Sequence, residues 1–78
     1  MTKFAFYTTE GCHLCEQAWA LIIAQDLVTE MTQVEIIHDS ANVALYGIRI
    51  PVIKNNDNDK EIGWPFDAVE LADFIEKD

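Results

Sequence analysis

The chain predicts an α/β fold: a four-stranded mixed sheet flanked by helices, in the order β-α-β, short helix, β-β-α. Three observations carry this expectation. Short runs rich in aromatic and β-branched residues alternate with longer stretches of helical apolar spacing. Turn-forming residues, Gly11, Gly47 and the NNDND run, separate them. The first two strands are joined through a helix and should be parallel, with a right-handed crossover, whereas the last two are joined by a tight turn and should be antiparallel.

Lys3 to Thr8 (KFAFYT) alternates and is aromatic-rich, which suits a buried strand. Thr9, Glu10 and Gly11 form a turn. From Cys12 to about Asp26 there is no Pro or Gly. Leu14, Ala18, Leu21, Ile22 and Gln25 fall at helical spacing there, with Cys15, Trp19 and Ile23 widening the apolar stripe. Thr32 to His38 (TQVEIIH) reads as a second strand with Val34, Ile36 and Ile37 apolar. Ser40 to Tyr46 is a short helix, capped by Asp39 or Ser40 and stopped by Gly47. Pro51 to Lys54 is the third strand, Asn55 to Asp59 a turn, and Lys60 to Gly63 the fourth strand. The last helix spans Asp67 to Lys77. Asp67 with Glu70 forms a capping box, and Phe66 with Leu71 a hydrophobic staple. Val69, Ala72 and Phe74 or Ile75 supply its buried face.

Seventy-eight residues suffice for one small domain, residues 1–78. Five Lys and Arg stand against 14 Asp and Glu, giving a formal charge of −9. The basic residues are scattered, so neither nucleic acid nor an anionic membrane surface is an expected partner. Half of the residues are hydrophobic, too many for a disordered acidic tail. The segment from Met1 to Thr8 lacks the apolar core of about 7–15 residues that an export signal needs, and no apolar run of about 20 residues is present. A reducing cytoplasm is the expected compartment, and a monomer the expected state.

There, a C-x-x-C pair is expected to be redox-active or metal-binding rather than a staple. As a staple, Cys12–Cys15 would close only a four-residue loop, worth about 2 kcal/mol. Its place at the end of a strand and the start of a helix gives it chemistry. Free N–H groups and the macrodipole at a helix N-terminus stabilise an anion. An ordinary thiol is only about 3 % ionised at pH 7, whereas one titrating near pH 6 is about 90 % thiolate, and thiolate is the nucleophile in disulfide exchange. Cys12, at the helix edge, is the expected attacker. Cys15, one turn inside, is the expected resolving thiol. His13 could tune the Cys12 thiolate as a nearby cation, or be a solvated histidine. Arg49 could offset the acidic surface near the site or hold a substrate carboxylate, or form a surface ion pair. Trp64 could wall a substrate groove or pack over the hairpin. His38 reads as polar surface. The Asp57-x-Asp59-x-Glu61 string is no calcium loop, because Ile62 and Ala68 stand where such a loop needs Gly and Glu.

Three motifs resemble glutaredoxins: T-T-E-G-C-H-L-C at Thr8 to Cys15, I-P-V at Ile50 to Val52, and G-W-P-F-D at Gly63 to Asp67. More narrowly they resemble small glutaredoxin-like proteins with C-H-L-C and W-P-F-D. The resemblance covers nearly the whole chain. It implies a thioredoxin-like fold, thiol–disulfide oxidoreductase activity on protein disulfides or a small thiol, and no required cofactor. It also implies a cis Ile50–Pro51 bond, with Ile50 pairing substrate like an added strand beside the cysteines. Asp67 matches the acidic residue that meets a substrate amino group. Two positions depart from the glutathione-using pattern. Thr9 stands where those proteins usually carry lysine, and Trp64 replaces the second of two glycines. Glutathione is therefore expected to be a poor partner. An iron–sulfur or metal-binding module using Cys12, and a non-catalytic interaction domain offering Trp64 and the sheet edge, are the alternative readings.

Overall fold

The computed structural model describes residues 2–76. The elements are β1 (Phe4–Thr8), α1 (His13–Ala24), β2 (Met31–Glu35), α2 (Ser40–Tyr46), β3 (Val52–Asn55), β4 (Glu61–Gly63) and α3 (Ala68–Glu76). Single 3-10 turns, Val28–Glu30 and Ile36–His38, precede and follow β2. The sheet order is β2-β1-β3-β4. β1 and β2 run parallel, with Phe4 opposite Met31. β3 is antiparallel to both β1 and β4, with Ile53 opposite Phe6 and Ile62. This is the mixed four-stranded sheet that the element order predicts.

Alternation along the strands divides the core in two. Phe4, Phe6, Met31 and Ile53 face α1 and α3, and pack with Cys15, Ala18, Ile22 and Leu71. On the opposite face Ile36, Tyr46 and Val52 form a smaller cluster with Tyr7 under α2. The Tyr7 and Tyr46 rings stack there at 4.1 Å.

Several local expectations change. The apolar seam of α1 is narrow: Cys15, Ala18 and Ile22 are buried, but Leu14 and Ile23 are 47 % and 57 % exposed. At about 100° per residue these two lie roughly a quarter turn off the seam on either side. β2 stops at Glu35 instead of reaching His38. The Glu35 side chain accepts the Ile37 N–H at 3.3 Å, which bends the chain into the 3-10 turn and leaves Ile37 exposed. Val69 is 69 % exposed. It sits two residues before the buried Leu71, and residues two apart on a helix do not share a face.

The helix termini follow local chemistry. Asp39 caps α2 by accepting the Ala41 N–H at 2.9 Å. At α3 the capping box is reciprocal: Glu70 N–H donates to Asp67 at 2.8 Å, and Asp67 N–H donates to Glu70 at 3.3 Å. Phe66 and Leu71 join the same core, as a staple requires. The expected end of α3 at Lys77 lies outside the described residues. α1 ends in paired bonds, from Asp26 N–H to the Ile23 carbonyl and from Leu27 N–H to the Ile22 carbonyl, both 3.0 Å. This is a Schellman arrangement, with Asp26 at φ 58° in the position usually taken by glycine.

Candidate functional site

A tight turn sets the cysteines at the start of α1. Cys12 N–H donates to the Thr9 carbonyl at 3.3 Å, and Gly11, third in the turn, has φ 81°. A β-carbon on Gly11 would meet nothing within 4 Å, so backbone conformation, not space, asks for glycine. Cys12 is then the N-cap of α1, and its Sγ accepts the Cys15 N–H at 3.1 Å. One of the orphan donors of the helix terminus is thus aimed at sulfur. Cys12 and Cys15 are joined as a disulfide, with Cα atoms 5.2 Å apart. Cys15 is 3 % exposed and belongs to the core, while Cys12 is half-buried at its edge. An incoming group therefore reaches the pair at Cys12.

The turn before the cysteines is fastened from a distance. Glu35 Oε1 accepts the Glu10 N–H at 2.9 Å, while Oε2 holds Ile37. Partial burial pushes the Glu35 carboxyl up, but hydrogen bonds from the Thr9 side chain and the Glu10 and Ile37 amides outweigh it, and the group titrates below the ordinary carboxylate value. Nothing in the sequence singled out Glu35.

On the other flank, the Ile50–Pro51 bond is cis, as the resemblance implies, and so is Trp64–Pro65. The Pro51 carbonyl accepts the Trp64 N–H at 3.1 Å. Ile50, Trp64 and Cys12 all pack against the main core. Trp64 meets Phe66 edge-on at 5.1 Å. Asp67 directs one carboxylate oxygen to its own helix. Arg49 is engaged elsewhere: it donates to Glu61 at 2.8 Å and lies over the Tyr46 ring. The Tyr46 hydroxyl also donates to Glu61 at 2.6 Å. That hydrogen bond, opposed by partial burial and aided by Arg49, holds the Glu61 carboxyl below its ordinary value. Burial and the same bond push Tyr46 well up. His13 is 91 % exposed, with Nδ1 3.7 Å from the Glu16 carboxylate.

A cleft of about 410 Å³ opens beside the cysteines on the β2 side of α1. Its lining includes Phe6, Glu10, Cys12, Glu16, Trp19 and Gln33. An adjoining hollow of about 400 Å³ shares Glu10 and Gln33 and reaches Glu35. Ile50, Pro51, Trp64 and Asp67 line neither. Sequence reasoning missed this cleft; Trp19, placed on the flank of the α1 stripe, was the available signal. Among the described residues, no group of three or more His, Cys, Asp or Glu is gathered in a metal-ligating arrangement, and no helix is long and apolar enough to cross a membrane.

The comparisons agree with this geometry. The structure is similar to the X-ray structure of structural genomics target protein XcR50 from X. campestris, at 34 % identity and a TM-score of 0.82, covering 94 % of this chain and 95 % of that one. The solution structure of XcR50 matches at 33 % identity and 0.82, over 96 % and 94 %. The solution structure of Ne2328 from Nitrosomonas europaea matches at 29 % and 0.71, over 92 % and 88 %. No curated protein matches. The model of the glutaredoxin-like domain (DUF836) matches residues 3–76. With nearly the whole described chain matched on a thioredoxin-like sheet, the chain belongs to the glutaredoxin-like domain family.

Proposed function

We propose that the protein is a dithiol–disulfide oxidoreductase acting on protein disulfides. The observation that carries this reading is the asymmetry of the pair: Cys12 caps the helix, half-exposed, with an amide hydrogen on its sulfur, while Cys15 is buried within bonding distance. In the reduced protein the Cys12 thiolate attacks one sulfur of the substrate disulfide. A Cys12–substrate bond forms, and the other substrate sulfur leaves as a thiolate and takes a proton. Cys15 then loses its proton and attacks Cys12 Sγ, releasing the second substrate thiol. Two electrons pass to the substrate and the Cys12–Cys15 disulfide results. An external thiol reductant returns it to the dithiol. Run backwards, the same steps oxidise a substrate dithiol.

In this reading Ile50 and Pro51 present backbone to the substrate segment, with Trp64 as a wall and Asp67 for an amino group. The Pro51–Trp64 hydrogen bond supports grouping them. His13 acts through charge beside Cys12, while Arg49, held in its ion pair with Glu61, takes no part in this reading. The cytoplasm is the compartment that fits a pair cycling through its reduced form.

Trapping tests the assignment. Cys15→Ser should accumulate a mixed disulfide at Cys12 with a model protein disulfide, visible by mass spectrometry, and Cys12→Ser should not. If Cys12→Ser traps and Cys15→Ser does not, the roles are reversed. If neither traps and the wild-type chain reduces nothing, the reading fails.

A further inference from the structure

We propose that the cleft on the β2 side of α1 receives a lysine or arginine side chain of the substrate polypeptide, next to its reacting cysteine. This deepens the oxidoreductase reading and rests on it. Cys12 lines the cleft, so a residue adjacent to a cysteine docked there reaches into it. Its volume, about 410 Å³, falls within the range of sites that bind side chains and small ligands, about 300–1,000 Å³.

The lining has two parts. Its floor is aromatic: Phe6 and Trp19 pack at 5.2 Å. Its rim carries the carboxylates of Glu10 and Glu16. An apolar floor under an anionic rim suits a long side chain with a methylene stem and a cationic head. An acidic side chain would meet two like charges, and a short neutral one would reach neither.

Among the described residues, no lysine or arginine lines the cleft. Arg49 and Lys54 lie toward β3 and β4, paired with Glu61 at 2.8 Å and Asp59 at 3.5 Å. The sheet order sets β2 and β4 at opposite edges, so these cations are away from the cleft. Glu10 is held in place because Glu35 binds its backbone N–H. Glu16 faces His13 at 3.7 Å, an exposed contact that an entering guanidinium or ammonium can displace.

The test is single-turnover reduction of three two-cysteine peptide disulfides by the stoichiometric pre-reduced protein, freed of reductant, so that the electrons come only from the Cys12–Cys15 dithiol. The peptides differ in one residue beside a cysteine: Lys, Gln or Glu. The Lys peptide should react about three- to tenfold faster than the Gln peptide, as two exposed ion pairs allow, and the Glu peptide slower still. Added salt should shrink the spread. Glu10→Gln and Glu16→Gln should each lower the preference by about twofold or more. Asp57→Asn, which removes one charge from the remote β3–β4 turn, should leave it unchanged. Ala20→Arg, on the exposed rim of the cleft, should abolish or reverse it. Equal rates for all three peptides leave the oxidoreductase reading standing and overturn the cleft. So does an equal loss of preference in Asp57→Asn and Glu10→Gln, because the whole molecule's charge then suffices. No reduction of any peptide overturns both.

Discussion

At the scale of residues, the hydrogen bond from Cys15 N–H to Cys12 Sγ has a chemical consequence. In the reduced protein it stabilises the Cys12 thiolate, and burial discourages ionisation of Cys15. Cys12 should therefore titrate below a free cysteine and be alkylated first by iodoacetamide across a pH series. Earlier labelling of Cys15 would contradict the assignment. Glu61 supplies a second prediction. At neutral pH its carboxylate is ionised, and the Tyr46 and Arg49 bonds contribute in full. Its folded-state value lies below the ordinary 4.5, so that contribution is lost as pH falls from about 4.5 through the folded value. Tyr46→Phe should cost about 1.5 kcal/mol at pH 7 and clearly less at pH 3, by urea denaturation. An equal cost at both would assign the effect to packing. Residues of this kind differ in how far sequence discloses them. Cys12 and Cys15 declare themselves by spacing. Glu35 does not, because its partners are backbone amides, one of them 25 residues away, and no side-chain pattern records such a bond.

At the scale of elements, two left-handed residues give opposite forecasts. Gly11 needs φ 81°, so Gly11→Ala should destabilise by about 1–2 kcal/mol and lower the thermal midpoint by several degrees, with slower disulfide exchange because the turn sets Cys12. Asp26 occupies the same half of conformational space without being glycine. Asp26→Gly should therefore raise stability by about 0.5–1 kcal/mol in thermal unfolding, with exchange unchanged. A loss of stability would show that the Asp26 side chain contributes more than its backbone costs. The start of α3 was legible because Asp67, Glu70, Phe66 and Leu71 form a local code. The end of β2 was not, because TQVEIIH is apolar enough to continue as a strand, and a single carboxylate turns it aside. The buried stripes of α1 and α3 were legible only at their centres. Flank residues such as Leu14, Ile23 and Val69 are apolar too, and only docking decides which of them is covered.

At the scale of the whole molecule, charge and topology act together. The order of elements sufficed to foresee the mixed sheet, since a helical crossover and a tight hairpin leave few arrangements. It could not foresee the cleft, whose lining residues come from β1, the turn after it, α1 and β2 and are scattered in sequence. The −9 charge disfavours an anionic tripeptide, and on the glutaredoxin resemblance Trp64 stands where an open backbone is expected, while Asp67 still offers one carboxylate oxygen. Turnover in a glutathione-coupled assay should be poor beside reduction of a protein disulfide. Robust glutathione turnover, abolished by Asp67→Ala and undisturbed by Trp64→Gly, would contradict this.

The grip of Glu35 on Glu10 joins a surface turn to a strand on the far side of α1 in sequence. The Glu10 amide can exchange its hydrogen with solvent only when that grip opens. A turn at the molecular surface ought to exchange quickly; this one becomes a gauge of whether the edge strand is seated. Slow exchange at Glu10 in deuterium oxide would report, from outside, that the sheet beneath the reactive sulfur is closed, and Glu35→Gln should hasten it while amides in the middle of β1 keep their pace.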